Sequence, residues 1–215
     1  PAVVGVVLAG DGRPICCELW PGNFADAKAL LAIVDRVRAR FAIGAECWVG
    51  DRGMVSAATI RALEQRGLGY ILGARLRKVK EVTAEVLGRG GRYRKVAANL
   101  RVKEVRVEGR RYVVCRNPDE VTRDAAERTA ILASLAEKLR QGAGALIGNQ
   151  GYRRFLRLSR GAVAIDPAKV KAEARYDGTF VLRTNTALPA AAVALQSKRR
   201  VEVERVFRGL KSLLD

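Results

Sequence analysis

The sequence predicts an α/β protein in which helices cover a mixed sheet. Three observations carry that reading. Strand-like and helical periodicities alternate through residues 1–75, a second hairpin with valines between basic residues follows, and an amphipathic helical stretch closes the chain.

Taken in order, Ala2 to Ala9 and Ile15 to Trp20 are apolar and strand-like, and Gly10-Asp11-Gly12 between them signals a hairpin turn. Asp11 is therefore a turn former. Beyond Pro21-Gly22, Asn23 can cap a helix from about Phe24 to Arg40, with Asp26 in its first turn and Leu30, Val34, Val37 and Phe41 at helical spacing. Glu46 to Gly50 is a short buried strand. Ser56 caps a second helix that ends at Gly67, and Tyr70-Ile71-Leu72 is the next strand. Gly88 to Tyr93, "GRGGRY", is a loop. Val102 to Val107 and Arg111 to Cys115 form the second hairpin around Glu108-Gly109, and a long helix spans about Asp119 to Gln141, with Leu132, Leu135 and Leu139 on one side. Arg160 to Ala174 has no clear period. Asp177 to Thr184 opens as a turn and becomes a strand, and a charge-rich helix covers about Pro189 to Leu214. On that helix Val203, Val206, Leu210 and Leu214 make an apolar stripe, while Arg200, Glu204 and Lys211 project together elsewhere.

Composition narrows the chemistry. Forty Lys and Arg against 22 Asp and Glu give a net charge of +18, which favours a polyanionic partner. Arg75 to Arg116 alone holds 14 basic residues and four acids. No apolar run approaches the ~18 residues of a membrane span. Cys16, Cys17, Cys47 and Cys115 lack metal or disulfide spacing, which suits a reducing, cytoplasmic setting. With no histidine, histidine-based triads and His-containing zinc sites are excluded, so any catalysis rests on carboxylates, with or without metal ions. P-loop, GxSxG and dinucleotide fingerprints are absent as well. The chain opens on Pro1 inside an apolar run and has Met54 as its single methionine, so it is expected to be a piece of a longer protein.

Two acids stand out, each with a plain alternative. Asp51, in "CWVGDRGM", ends a buried strand where α/β folds place ligands, or simply forms a turn before Ser56. Glu204 sits between Arg200 and Arg208 on successive helical turns, an array that also suits a surface ion-pair ladder. Phosphodiester chemistry without histidine is commonly run by carboxylates holding two divalent ions, with basic residues neutralising the flanking phosphates.

At this point a family resemblance is legible. "ELWPGNFAD" at Glu18 to Asp26, "VGDRGM" at Val49 to Met54, "LGYILGARLRK" at Leu68 to Lys78, "DGTFVLRTN" at Asp177 to Asn185 and "VERVFRGLKS" at Val203 to Ser212 resemble insertion-sequence transposases of the DDE type, in the group with a Y-x2-R-x3-E-x6-K signature. The resemblance implies an RNase H-like mixed sheet flanked by helices. Its core would comprise residues 1–76 and 177–215, interrupted by a β-rich and helical insertion over 77–176. It implies metal-dependent cleavage of DNA strands at transposon ends and their transfer to target DNA. Asp51 and Glu204 match the second and third acids, as metal ligands for two Mg²⁺ or Mn²⁺ ions. Arg200 and Lys211 match the phosphate-contacting arginine and lysine, and Arg52 and Arg208 adjoin them on the DNA side. The tyrosine of the signature falls on Ser197, a departure that removes the aromatic ring from the DNA grip.

The partners implied are double-stranded DNA and a second transposase subunit, a homodimer in a synaptic complex, in a cytoplasmic, nucleoid-associated protein. The first acid has no match, since neither Asp11 nor Asp26 occupies its place, and the central strand that would bear it is missing from the chain. Residues 1–215 alone are accordingly expected to be inert and poorly stable. Two other functions fit the charge: a non-catalytic nucleic-acid-binding module of transposase origin, and a basic RNA-binding protein of ribosomal type.

Overall fold

The computed structural model describes residues 2–21, 23, 26–41, 46–77, 79–142, 150–159 and 162–199. It divides into two compact units: Pro1–Arg94 with Val102–Cys115 and Val181–Asp215, and Lys95–Arg101 with Arg116–Phe180.

In the first unit, β1 (Ala2–Leu8) and β2 (Pro14–Pro21) are an antiparallel hairpin. Asp11 makes its turn, accepting from Arg13 N–H at 3.1 Å. Helix α1 (Asp26–Arg40) lies against the hairpin, with Ile33 and Val37 packed on Val7, Cys16 and Trp20. Its other apolar residues, Leu30 and Val34, join Ile60 and Leu63 of α2 (Ala57–Gln65) over the parallel strands β3 (Cys47–Gly50) and β4 (Gly69–Gly73). Trp48 belongs to both clusters and so ties hairpin and sheet through α1. The local signals for α2 act as predicted: Ser56 Oγ accepts from Thr59 N–H at 3.0 Å, and Gly67, at φ +67°, ends the helix in the left-handed region.

Six strands form one mixed sheet in the order β3-β4-β10-β7-β6-β5, with β5 at Arg94–Ala97, β6 at Leu100–Val107, β7 at Arg110–Arg116 and β10 at Thr179–Thr184. The turn between β6 and β7 uses Glu108 at φ +47° and Gly109 at φ +76°, the two positive values that the tightest hairpins need. Val105, Val107, Tyr112, Val114 and Val181 pack with Val82 and Val86 from a helical turn at Glu81–Val86. The hairpin predicted from alternating valines is thus a sheet member. Helix α6 (Ala190–Lys198) lies against β3 and β4.

The first two strands do not extend the main sheet: β1 and β2 pair with each other as a two-stranded sheet, and β3 is an end strand of the six. Among the described residues α1, rather than backbone pairing, connects the two.

The second unit is organised on α3 (Pro118–Gln141), which Asn117 caps by accepting from Asp119 N–H at 3.0 Å. Leu135 is buried with Phe155 and Leu156, and Leu132 and Leu139 pack beside it, as their spacing predicts. The stretch without a clear period holds β9 (Ala162–Ile165), paired antiparallel with β8 (Leu156–Ser159) just before it, and the short α5 (Pro167–Ala174); a single turn, α4, covers Gln150–Arg153. Short elements of four residues hold too few repeats to display a period. Among the described residues no helix is long and apolar enough to cross a membrane.

Candidate active site

Strand β3 is apolar up to the buried Gly50, beside Leu72 of β4, and the chain then becomes exposed at Asp51. Because β3 and β4 run parallel, their carboxyl ends open on the same edge, the place where α/β sheets bind ligands. Asp51 has extended backbone angles, and its Oδ1 accepts from the Arg52 N–H at 2.7 Å, capping a 3-10 turn over Arg52–Met54. Beyond the turn, Val55 packs on the core cluster under α1 and α2.

The end of β4 holds this turn from the side. Gly73 approaches so closely that a Cβ there would fall 3.0 Å from the Arg52 nitrogen. Arg75 donates from Nε to the Arg52 carbonyl at 3.1 Å and from Nη2 to the Gly53 carbonyl at 3.4 Å. The turn and acid readings of Asp51 are therefore compatible: its carboxylate caps the turn and stays exposed at the strand edge, with Arg52 and Arg75 exposed nearby. Nothing in spacing or composition singled out Gly73 or Arg75 as supports, because their role depends on two strand ends lying side by side.

A second support lies at the entry to α6. Arg111, 8% exposed, donates to the carbonyls of Thr186 at 2.6 Å and Leu188 at 2.8 Å, and to Glu104 at 2.7 Å. It joins hairpin β6–β7 to the loop that leads from β10 into α6. The guanidinium hydrogen bond is the main reason the Glu104 carboxyl is held below the usual carboxylate range. Elsewhere in the core, Tyr70 and Tyr112 donate to Glu64 and Glu81 at 2.7 and 2.8 Å. Burial first, then those hydrogen bonds, pushes both phenols up to about 12.

Arg52 is exposed beside Asp51. Ser197 is on α6 and 3% exposed. Arg200, Glu204, Arg208 and Lys211 lie outside the described residues. Arg199, the last residue described, donates to the Gly10 carbonyl in the β1–β2 turn. Among the described residues no three acids, cysteines or histidines gather closely enough to hold a metal ion.

A family model described as "Transposase DDE domain" matches residues 3–215. No curated protein and no solved structure matches the chain.

Proposed function

The chain belongs to the transposase DDE domain family, and on that footing we propose that it serves DNA strand cleavage and strand transfer at the ends of a mobile element. Support comes above all from the family match over 3–215 combined with Asp51 on a clamped turn at the open edge of two parallel strands. Asp51 and Glu204 are the proposed ligands for two Mg²⁺ or Mn²⁺ ions, which would supply activation of the attacking oxygen and stabilisation of the leaving one. The rest concerns this chain's own side chains. Gly73 and Arg75 hold the Asp51 turn in place. Arg52, Arg200, Arg208 and Lys211 are proposed to neutralise phosphates next to the reacting one, and the double-stranded substrate is proposed to be held by a homodimer. The first acid of the family's three has no match among these 215 residues.

The test is cleavage of an element-end duplex by the intact transposase with and without Asp51→Asn. Loss of cleavage with duplex binding unchanged is expected, because Asn keeps the turn cap and removes the charge. Undiminished cleavage would refute the assignment. Duplex binding without any metal-dependent cleavage by the unaltered protein would favour the non-catalytic nucleic-acid-binding reading instead.

A further inference from the structure

The loop Gly88–Arg92 belongs to neither a helix nor a strand, yet its backbone is fixed. Arg89 N–H donates to the Glu85 carbonyl at 3.0 Å. Lys103 of β6, 8% exposed, rises beneath the loop and donates from Nζ to the Arg89 carbonyl at 2.6 Å. The same ammonium lies 5.4 Å from the centre of the Tyr93 ring. Two glycines let the chain follow this path. A Cβ on Gly88 would fall 2.6 Å from the Ala84 carbonyl oxygen, and Gly91, at φ +147°, sits over the aliphatic stem of Lys103.

Above this support Arg89, Gly90, Gly91 and Arg92 are exposed. Among the described residues no carboxylate pairs with Arg89, Arg92 or Lys103. The ammonium is thus held by a carbonyl and a ring, with no carboxylate among the described residues within ion-pair distance, so the loop carries positive charge from below as well as two guanidinium groups at its surface. Charge without an apolar anchor suits a phosphate backbone better than a protein partner, whose binding concentrates on buried aromatic or aliphatic contacts. A backbone already fixed also lowers the ordering cost of binding.

We propose that Gly88–Arg92 is a pre-formed clamp for the backbone of duplex DNA, in which Arg89 and Arg92 each neutralise one phosphate and Lys103 holds the loop in its binding shape. Duplex DNA as the partner rests on the transposase reading. Arginine forks directed at phosphates would fix register without reading bases, so the contact is sequence-independent.

The test is the salt dependence of binding to a duplex of mixed sequence, measured with the full chain and with Arg89→Gln/Arg92→Gln. Losing two phosphate contacts should make the slope of log affinity against log salt shallower by about 1.8. Over a fourfold rise in salt the unaltered chain should then lose about 12-fold more affinity than the variant. Arg123→Gln/Arg140→Gln, which removes two exposed arginines from α3, should leave the slope unchanged. An unchanged slope in the loop variant, or an equal drop in the α3 variant, overturns the clamp while leaving the DNA reading standing. Failure of the unaltered chain to bind duplex DNA refutes the DNA reading itself, and tighter binding to an RNA duplex of the same sequence overturns the choice of partner.

Discussion

Arg111→Met is the substitution whose cost the structure defines best. The guanidinium makes three hydrogen bonds, to Thr186, Leu188 and Glu104, at about 1.5–3 kcal/mol each for a charged donor. Two gains offset part of that loss. Its Nε is buried with no partner among the described residues, so removing it recovers about 2 kcal/mol, and burial of the methionine side chain contributes about 2 more. The net loss is about 3 kcal/mol. With a urea dependence of about 2.5 kcal/mol per molar, the unfolding midpoint should fall by about 1.2 M. A fall below about 0.3 M would refute the ledger.

The pH dependence tests the Glu104 share separately. Because its folded-state pKa is depressed, chiefly by Arg111, the stabilisation it contributes is present above the ordinary carboxylate range and is lost as pH falls through the depressed value. The stability gap between the parent chain and Arg111→Met should therefore narrow below about pH 4. A gap that stays constant into acid would show that Glu104 adds nothing to the hold on the loop before α6.

Two further outcomes follow from the core. Tyr70 and Tyr112 have folded-state values of about 12 against 10.0 for an unperturbed phenol, so their contribution is fully present below pH 10 and is lost as pH rises toward 12. Tyrosinate absorbance should accordingly show two of the five tyrosines ionising only with unfolding, and Tyr70→Phe should lessen the alkaline fall in stability; smooth ionisation of all five below the unfolding pH would contradict both. In the second unit, Gly178 has φ +57° and a Cβ there would fall 2.3 Å from the Asn117 carbonyl oxygen, so Gly178→Ala should cost about 3 kcal/mol, read as a lowered midpoint for that unit. A midpoint within error of the parent would show that the backbone accommodates the methyl group.

Much of the architecture was legible because its signals are local. Ser56 with Gly67 bounded α2, Glu108-Gly109 placed the β6–β7 turn, and Leu132, Leu135 and Leu139 marked the buried side of α3. Each depends on a cap, a positive φ or a helical period, which a few neighbouring residues specify. The β8–β9 hairpin escaped notice because four-residue strands are too short to show alternation. The burial of Ser197 was not legible either, because a position in a signature does not specify which face of a helix packs inward.

By itself the sequence determined a basic, histidine-free α/β chain whose ordered motifs match a DDE domain, with Asp51 at the end of an apolar strand. Tertiary structure decided that β1 and β2 stand apart from the six-stranded sheet, that Gly73 and Arg75 hold the Asp51 turn, and that Arg111 reaches Thr186 and Leu188. The physical reason is range. Caps and turns are satisfied within a few residues, whereas strand order and a guanidinium's choice of carbonyl depend on which distant segments lie close enough to exchange hydrogen bonds once the core has packed.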